Sequence, residues 1–279
     1  MGLKLPNLQI LPVKDLLRHE WHDDSRAKPL AAGLRSSGLL RNPPIVAPLE
    51  DGSGRYMVLD GANRTTALGH LDIPHAICQV VGAQEKGLKL KKWNHVLWNW
   101  EPDELIKALQ DVPGTRFQEI DPNIKRPQKD WPVKTLVWLQ TPDGQAYIVR
   151  SVPGDLMGRA RELALVAEAY IKNAQLDRTT AQRINELDGA YKELTAVVVY
   201  PPFTLKQVMK LTAAGVLLPP GVTRFTISPR ALRLNYPLEY LEADKSLDEK
   251  NAELGEWISQ KTAQKGVRYY AEATVLFDE

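Results

Sequence analysis

The densest run of chemically useful residues is Asp60-Gly61-Ala62-Asn63-Arg64-Thr65-Thr66, which follows the apolar stretch Tyr56-Met57-Val58-Leu59. A buried strand that breaks at a glycine and passes straight into a helix, here Arg64 to Leu71, leaves backbone N–H groups and the positive end of the helix dipole facing outward. That is a cradle for phosphate oxygens. Asp60, at the strand end, is placed to hold Mg2+ directly or through water, or simply to cap the helix. Arg64 can make a bidentate contact to phosphate, the alternative being a surface salt bridge. Asn63, Thr65 and Thr66 add neutral donors, and Gly61 lets the backbone approach a ligand or take positive φ.

A second polar cluster, His19-Glu20-Trp21-His22-Asp23-Asp24, contains ligand types suited to Zn2+ or Fe2+. No second His or Cys group at fixed spacing accompanies it, so an ordinary polar loop is the simpler reading. Lys86, Lys89, Lys91 and Lys92 alternate with Leu88, Leu90 and Trp93. This pattern fits an exposed edge strand, whose lysines discourage sheet-to-sheet pairing, better than a nucleic-acid patch.

The elements that must position these groups can be read around them. Leu8 to Asp15 reads as a short strand and turn, with Lys14 to Leu17 helical. Leu30 and Leu34, closed by Gly38, fit a helix with glycine just past its end. Ile45 to Ala47, Tyr56 to Leu59 and Ile73 to Val81 read as strands, completing a mixed α/β module from about Leu3 to Val81. Lys86 to Trp100 reads as a connection. Beyond it come a hairpin over Pro132 to Arg150, a helix over Leu156 to Gln175, and a buried strand over Ala196 to Tyr200. A helix over Thr204 to Ala214, capped by Thr204, and a strand over Val222 to Ile227 complete the set.

The composition is that of a soluble globular chain: 279 residues, 43% hydrophobic and 25% charged. A net charge of +2 supplies no field to hold the whole molecule on a phosphate backbone, so strong non-specific nucleic-acid binding is not expected. The single cysteine, Cys78, lies in the run Ile77 to Val81 and reads as an inert packed thiol. No signal-peptide pattern or membrane-length apolar run is present, which makes the expected location cytoplasmic.

The string Leu30-Ala31-Ala32-Gly33-Leu34-Arg35-Ser36-Ser37-Gly38-Leu39-Leu40, then Pro43-Pro44-Ile45-Val46, resembles the first helix and strand of ParB/sulfiredoxin-like domains, with the Asp60 turn following the next strand. Gly215-Val216-Leu217-Leu218-Pro219-Pro220-Gly221-Val222-Thr223-Arg224, with Arg230-Ala231-Leu232, resembles the second domain of free serine kinases. The resemblance implies an α/β (α+β) fold. Residues 1–85 would form a ParB/sulfiredoxin-like nucleotide-phosphate-binding domain, and 86–279 a linker and substrate-binding domain, the two enclosing a cleft. It further implies transfer of a phosphoryl group from ATP or ADP, with Mg2+, to the hydroxyl of free L-serine, giving O-phospho-L-serine.

On that resemblance Glu20 matches the general base and Asp60 the metal-holding carboxylate. Gly61, Asn63, Arg64, Thr65 and Thr66 would hold phosphate, and Trp93, Thr223, Arg224 and Arg230 the substrate. The chain departs from the family where Ala62 and Asn63 replace the two histidines of Asp-Gly-His-His-Arg, and where Phe225 replaces a histidine after Thr-Arg. Two other functions use the same turn: a ParB-like nucleotide-responsive DNA-binding regulator and a non-catalytic binder of phosphorylated metabolites. The regulators carry a helix-turn-helix after the nucleotide module, where this chain is rich in tryptophan and proline.

Overall fold

The computed structural model describes residues 5–21, 24–124, 134–152, 154–187 and 189–270. Its first half is built around a five-stranded sheet in the order β1-β6-β4-β5-β2. These strands are β1 (Leu8–Pro12), β2 (Leu16–Arg18), β4 (Ile45–Pro48), β5 (Tyr56–Asp60) and β6 (His75–Val80), and the short β3 (Leu39–Leu40) lies outside the sheet. β2 runs parallel to β5 and β4 parallel to β6, while β1–β6 and β4–β5 are antiparallel. Helix α1 (Asp24–Ser37) ends at Gly38, whose φ of +65° closes it as the sequence implies, and α2 (Ala62–His70) follows β5.

The helical reading of Lys14 to Leu17 is corrected here. Only a single 3-10 turn forms, over Val13–Asp15, and Leu16–Arg18 are extended. The reason lies elsewhere in the chain: these residues pair with Tyr56, Met57 and Val58, and tertiary pairing overrides a weak local helical preference.

The second half is organised by a six-stranded antiparallel sheet, in the order β12-β8-β13-β10-β11-β9. Lys86 to Trp100, read as a connection, instead forms two strands, β7 (Leu88–Lys92) and β8 (Asn94–Trp98), the latter well inside the larger sheet. Helix α3 (Pro102–Gln110) and β9 (Thr115–Ile120) follow, then the expected hairpin β10 (Thr135–Gln140) and β11 (Ala146–Ser151). Next come α4 (Leu156–Ile171), β12 (Gln175–Thr179), β13 (Leu194–Val199) and α5 (Leu205–Ala213), capped by Thr204 in a reciprocal box with Gln207. β14 (Thr223–Ile227) pairs with β7 as a separate ribbon, exposing Lys89 and Lys91 and half-burying Leu88 and Leu90.

Strands β4 and β5 are buried on both faces. Ile45, Ala47, Met57 and Leu59 join Val137, Leu139 and Val149 of the larger sheet, with Tyr170 and Leu218, in one continuous core. The alternate residues Val46 and Val58 join Ile10, Leu34 and Leu68 in a second core under α1 and α2.

The last elements, β15 (Tyr236–Pro237), α6 (Leu238–Glu242) and α7 (Leu247–Ala263), return to the first sheet. β15 pairs with β3, and Tyr236, Leu241 and Leu254 enter the second core. Asn251 of α7 accepts from the Ile10 N–H at 2.9 Å and donates to the Ile10 carbonyl at 3.0 Å, covering the outer edge of β1 as another strand would. No helix among the described residues is long and apolar enough to cross a membrane.

Beneath the Pro219-Pro220-Gly221 segment, His95 is completely buried. The Pro220 carbonyl, 3.1 Å from Nε2, can only accept, so Nε2 carries the proton and Nδ1 accepts from the hydroxyl pair formed by Tyr170 and Tyr200, which lie 2.9 and 3.0 Å away and bond to each other. Burial pushes the His95 pKa down from 6.5 to about 4.

This packing can be tested at two residues. Asn251→Leu strands both backbone groups of Ile10 and is expected to lower the free energy of unfolding by roughly 2 kcal/mol; an unchanged urea midpoint would contradict the edge-covering role. Unfolded His95 binds a proton as pH falls below 6.5 while the folded form resists until about 4, so stability drops across that window by about 3 kcal/mol in all. His95→Gln is expected to flatten that part of the stability-against-pH curve relative to wild type, and parallel curves would exclude His95 as its source.

Candidate functional site

The parallel pairing of β2 with β5 matches Arg18 with Val58 and brings the C-terminal ends of the two strands side by side. One strand runs on into His19 and Glu20, the other ends at Asp60, and a third segment closes over them. The Leu218 N–H donates to the His19 carbonyl at 2.9 Å, and the Trp21 N–H to the Leu218 carbonyl at 3.1 Å. Residues far apart in the chain thus converge on one end of the first sheet, where ligands commonly bind in open α/β sheets.

At the end of β5 the turn has the form expected of a phosphate cradle. Gly61 takes φ +97°, and a Cβ there would lie 3.1 Å from Pro44 Cα and from the Arg64 guanidinium. Gly61, not Asp60, is the N-cap residue of α2, and as a glycine it supplies no side-chain cap bond. Asp60 Oδ2 lies 3.6 Å from Arg64 Nη2 and also pairs with Arg230, which arrives from the far end of the chain.

Arg64 additionally donates to the Asn42 carbonyl at 3.3 Å. Burial pulls its pKa down while the Asp60 charge holds it up. Thr65 is buried, and its hydroxyl donates back to the Gly61 carbonyl at 3.1 Å, bracing the turn from within. Thr66 Oγ1 accepts from Arg18 at 3.1 Å, and Asn63 lies half-buried in the first turn of α2.

At the end of β2, His19 is buried and links the two halves. The Val58 carbonyl lies 2.6 Å from Nδ1, which must therefore be the protonated nitrogen. Nε2 then accepts from the Thr223 hydroxyl at 2.8 Å. Burial lowers the pKa of His19, in keeping with this neutral form, against the charges of Glu20 and Asp60 that raise it. Phe225 sets its ring edge-on to His19 at 5.3 Å.

Glu20 lies alongside, and its Oε2 receives the Gly221 N–H at 3.0 Å. Gly221 takes φ +73°, and any Cβ there would collide with the Arg178 guanidinium. Trp93 is joined to the same segment, its N–H donating to the Val222 carbonyl at 3.2 Å. The Arg224 guanidinium stacks over its indole at 4.2 Å.

Of the sequence-derived candidates, Asp60, Gly61, Arg64 and Arg230 meet at the β5 turn, and Glu20 and Thr223 both lie beside His19, whereas Trp93 and Arg224 stack together on the face of β14 opposite Thr223. For the metal alternative in the polar loop, both ring nitrogens of His19 are already engaged, while His22 and Asp23 lie outside the described residues. Among the described residues no group of three His, Cys, Asp or Glu side chains is placed to hold a metal ion.

Sequence reasoning missed His19 as the link between the halves, and it missed Asn42 and Gln79. Gln79 had a signal: it is the one polar residue in Ile77-Cys78-Gln79-Val80-Val81, and a buried amide in an apolar strand must find partners. Asn42 had no such signal.

No protein-family model matches the chain. Over 282 aligned residues, covering 98% of both chains, it is 24% identical to the "ATP-dependent L-serine kinase SbnI" of Staphylococcus aureus (strain NCTC 8325 / PS 47). It is 32% identical over 112 residues, 39% of this chain and 42% of the relative, to an "ATP-dependent L-serine kinase" of Staphylothermus marinus. Among solved structures, the C-terminally truncated S. aureus SbnI superimposes with a TM-score of 0.68 at 23% identity, over 93% of this chain and 97% of that one. A free serine kinase in complex with AMP gives 0.68 at 17% identity, over 85% and 95%. The mixed α/β architecture is therefore that of these kinase structures over most of the chain.

Proposed function

We propose that this protein is a small-molecule kinase that moves the γ-phosphoryl group of ATP to the hydroxyl of free L-serine, giving O-phospho-L-serine and ADP. Phosphotransfer to a hydroxyl acceptor, with a nucleotide as donor, is supported by the relatives named ATP-dependent L-serine kinase, one of them aligned over the whole chain. Free L-serine as acceptor and ATP as donor follow from the same names. The observation that carries the reading is the meeting of Asp60 and Arg64 with Arg230 beside the Glu20–Gly221 contact, at the ends of two parallel strands.

Phosphoryl transfer is chiefly positioning and charge stabilisation. In this reading the first turn of α2, behind its glycine N-cap, takes phosphate oxygens with Asn63 and Thr66. Arg64 and Arg230 turn from Asp60 toward the incoming anion. Thr65 and Gly61 keep the turn in shape. Thr223, beside His19, is assigned to the acceptor side, while Arg224, which suits a carboxylate, stacks with Trp93 on the opposite face of the β7–β14 ribbon. Glu20, held by the Gly221 N–H, takes the serine proton as the hydroxyl oxygen bonds to Pγ and the bond from Pγ to the bridging oxygen breaks, leaving ADP.

Mg2+ suits this donor set, because it commonly takes one or two carboxylates plus substrate phosphates and Asp60 is a half-exposed carboxylate beside the turn. When bound, it would neutralise phosphate charge. With the function we propose the division into a ParB/sulfiredoxin-like unit over 1–85 and a substrate-binding unit over 86–279, supported by the distinct first sheet, with residues 236–263 of the second stretch packing back onto the first unit.

The test supplies ATP or ADP with Mg2+ and a panel of free serine, threonine and homoserine, with phosphorylated product read by mass. O-Phosphoserine from ATP is expected. Glu20→Gln is expected to lower kcat by about 10^2- to 10^4-fold with little change in nucleotide affinity, as for loss of a general base. Asp60→Asn is expected to lower kcat and raise the Mg2+ concentration needed for half-maximal rate. Nucleotide binding without phosphorylation of any acceptor would overturn the kinase reading in favour of a non-catalytic binder.

A further inference from the structure

Arg230 reaches Asp60 from a segment with no regular secondary structure, residues 228–235, so something outside that segment must hold it in place. The strand register identifies what does. Across three neighbouring strands of the first sheet, Gln79 pairs with Ile45, and Ile45 pairs with Asp60. Gln79 and Asp60 therefore stand in one row, two strand spacings or roughly 10 Å apart.

The Gln79 side chain is 2% exposed, and both ends of its amide are used. Nε2 donates to the Pro229 carbonyl at 2.8 Å, and Oε1 accepts from the Ala231 N–H at 2.8 Å. The partners fix the orientation of the amide, since a carbonyl can only accept and an N–H can only donate. The two contacts fall on the residues immediately before and after Arg230.

Further bonds hold the flanks of the segment. The Ser228 N–H donates to the Gly87 carbonyl at 3.1 Å, and the Arg233 N–H to Asn42 Oδ1 at 2.8 Å. Asn42 also receives Arg64 on its backbone carbonyl. Gly87 is necessary for this approach, because a Cβ there would collide with the Ser228 carbonyl oxygen.

We propose that Gln79 is a positioning residue for the phosphoryl-transfer site: by clamping the peptide groups on both sides of Arg230, it sets the guanidinium opposite Asp60 and Arg64 at a spacing fixed by the sheet. Gln79 touches no reacting atom, and its effect passes through Arg230. This deepens the kinase reading and rests on it. Loss of the clamp leaves the segment held at its flanks but not beside Arg230, and a displacement of about 1 Å is enough to cost up to about 100-fold in rate.

The test is a double-mutant cycle of wild type, Gln79→Met, Arg230→Gln and the double variant, in the full chain. kcat and KM are measured for serine with Mg-ATP, alongside amide exchange at Ala231 and thermal unfolding. Gln79→Met is expected to free the Ala231 amide and lower kcat/KM by about 10- to 100-fold, and to change it less than twofold once Arg230 is already glutamine. Gln79→Glu, which keeps an acceptor for the Ala231 N–H, is expected to restore much of that amide's protection. The same loss in both Arg230 backgrounds, or an Ala231 amide still protected in Gln79→Met, would overturn the proposal. If the wild type phosphorylates no acceptor, the kinase reading falls instead, and the cycle read in Mg-ADP affinity then decides the clamp by the same criterion.

Discussion

Three parallel residue pairs, Leu16 with Tyr56, Leu17 with Met57 and Arg18 with Val58, are the constraint on which the rest of the site depends. A parallel pair sends both chains out of the sheet at the same end. Glu20 and Asp60 consequently emerge as neighbours, although 39 residues separate His19 from its partner Val58. In an antiparallel arrangement of the same two strands the carboxylates would leave from opposite ends. The contacts of the Leu218–Arg230 stretch are arranged around this shared exit: Leu218 beside Glu20, Thr223 on His19 and Arg230 on Asp60.

Besides its backbone pairing with His19, Trp21 and β7, this stretch is held by buried polar side chains, and this sharpens the geometry. A buried donor or acceptor left without a partner costs about 1–3 kcal/mol, so His19, Gln79, Thr223 and His95 admit few alternative placements of the segment that satisfies them. His19 uses both ring nitrogens and Gln79 both ends of its amide, and His95 spans from the tyrosines to the Pro220 carbonyl. A core of apolar residues alone would hold the two halves together without fixing register at this precision. At the turn itself, two guanidiniums share the Asp60 carboxylate beside the N-terminus of α2, whose N-cap is a glycine. The local charge is in excess positive, an environment suited to an anionic ligand.

Where the chain departs from the serine kinase pattern, the structure supplies a physical context for one departure. Phe225, in place of a histidine, packs edge-on against His19 rather than offering a polar group. His19 itself stays neutral and buried between Val58 and Thr223. Ala62 and Asn63, in place of the two histidines of the pattern the sequence resembles, leave the first turn of α2 without an imidazole, so Arg64 is the cationic side chain in that turn.

The sequence by itself determined the features that neighbours along the chain decide. The strand, turn and helix at Asp60, the glycine closing α1, the Thr204 cap and the alternation of Lys and Leu in β7 depend on local dihedral preferences and short-period burial, and all are legible in it. The Lys14 to Leu17 stretch and the β8 part of the Lys86 to Trp100 connection are misread from sequence. Their conformation is set by strands elsewhere in the chain, which no local window contains. Only the tertiary structure decided which polar residues meet: Asn251 on Ile10, His19 on Thr223, and Gln79 on both sides of Arg230. Each is a hydrogen bond across more than 140 residues, specified by sheet register and core packing rather than by the identity of sequence neighbours.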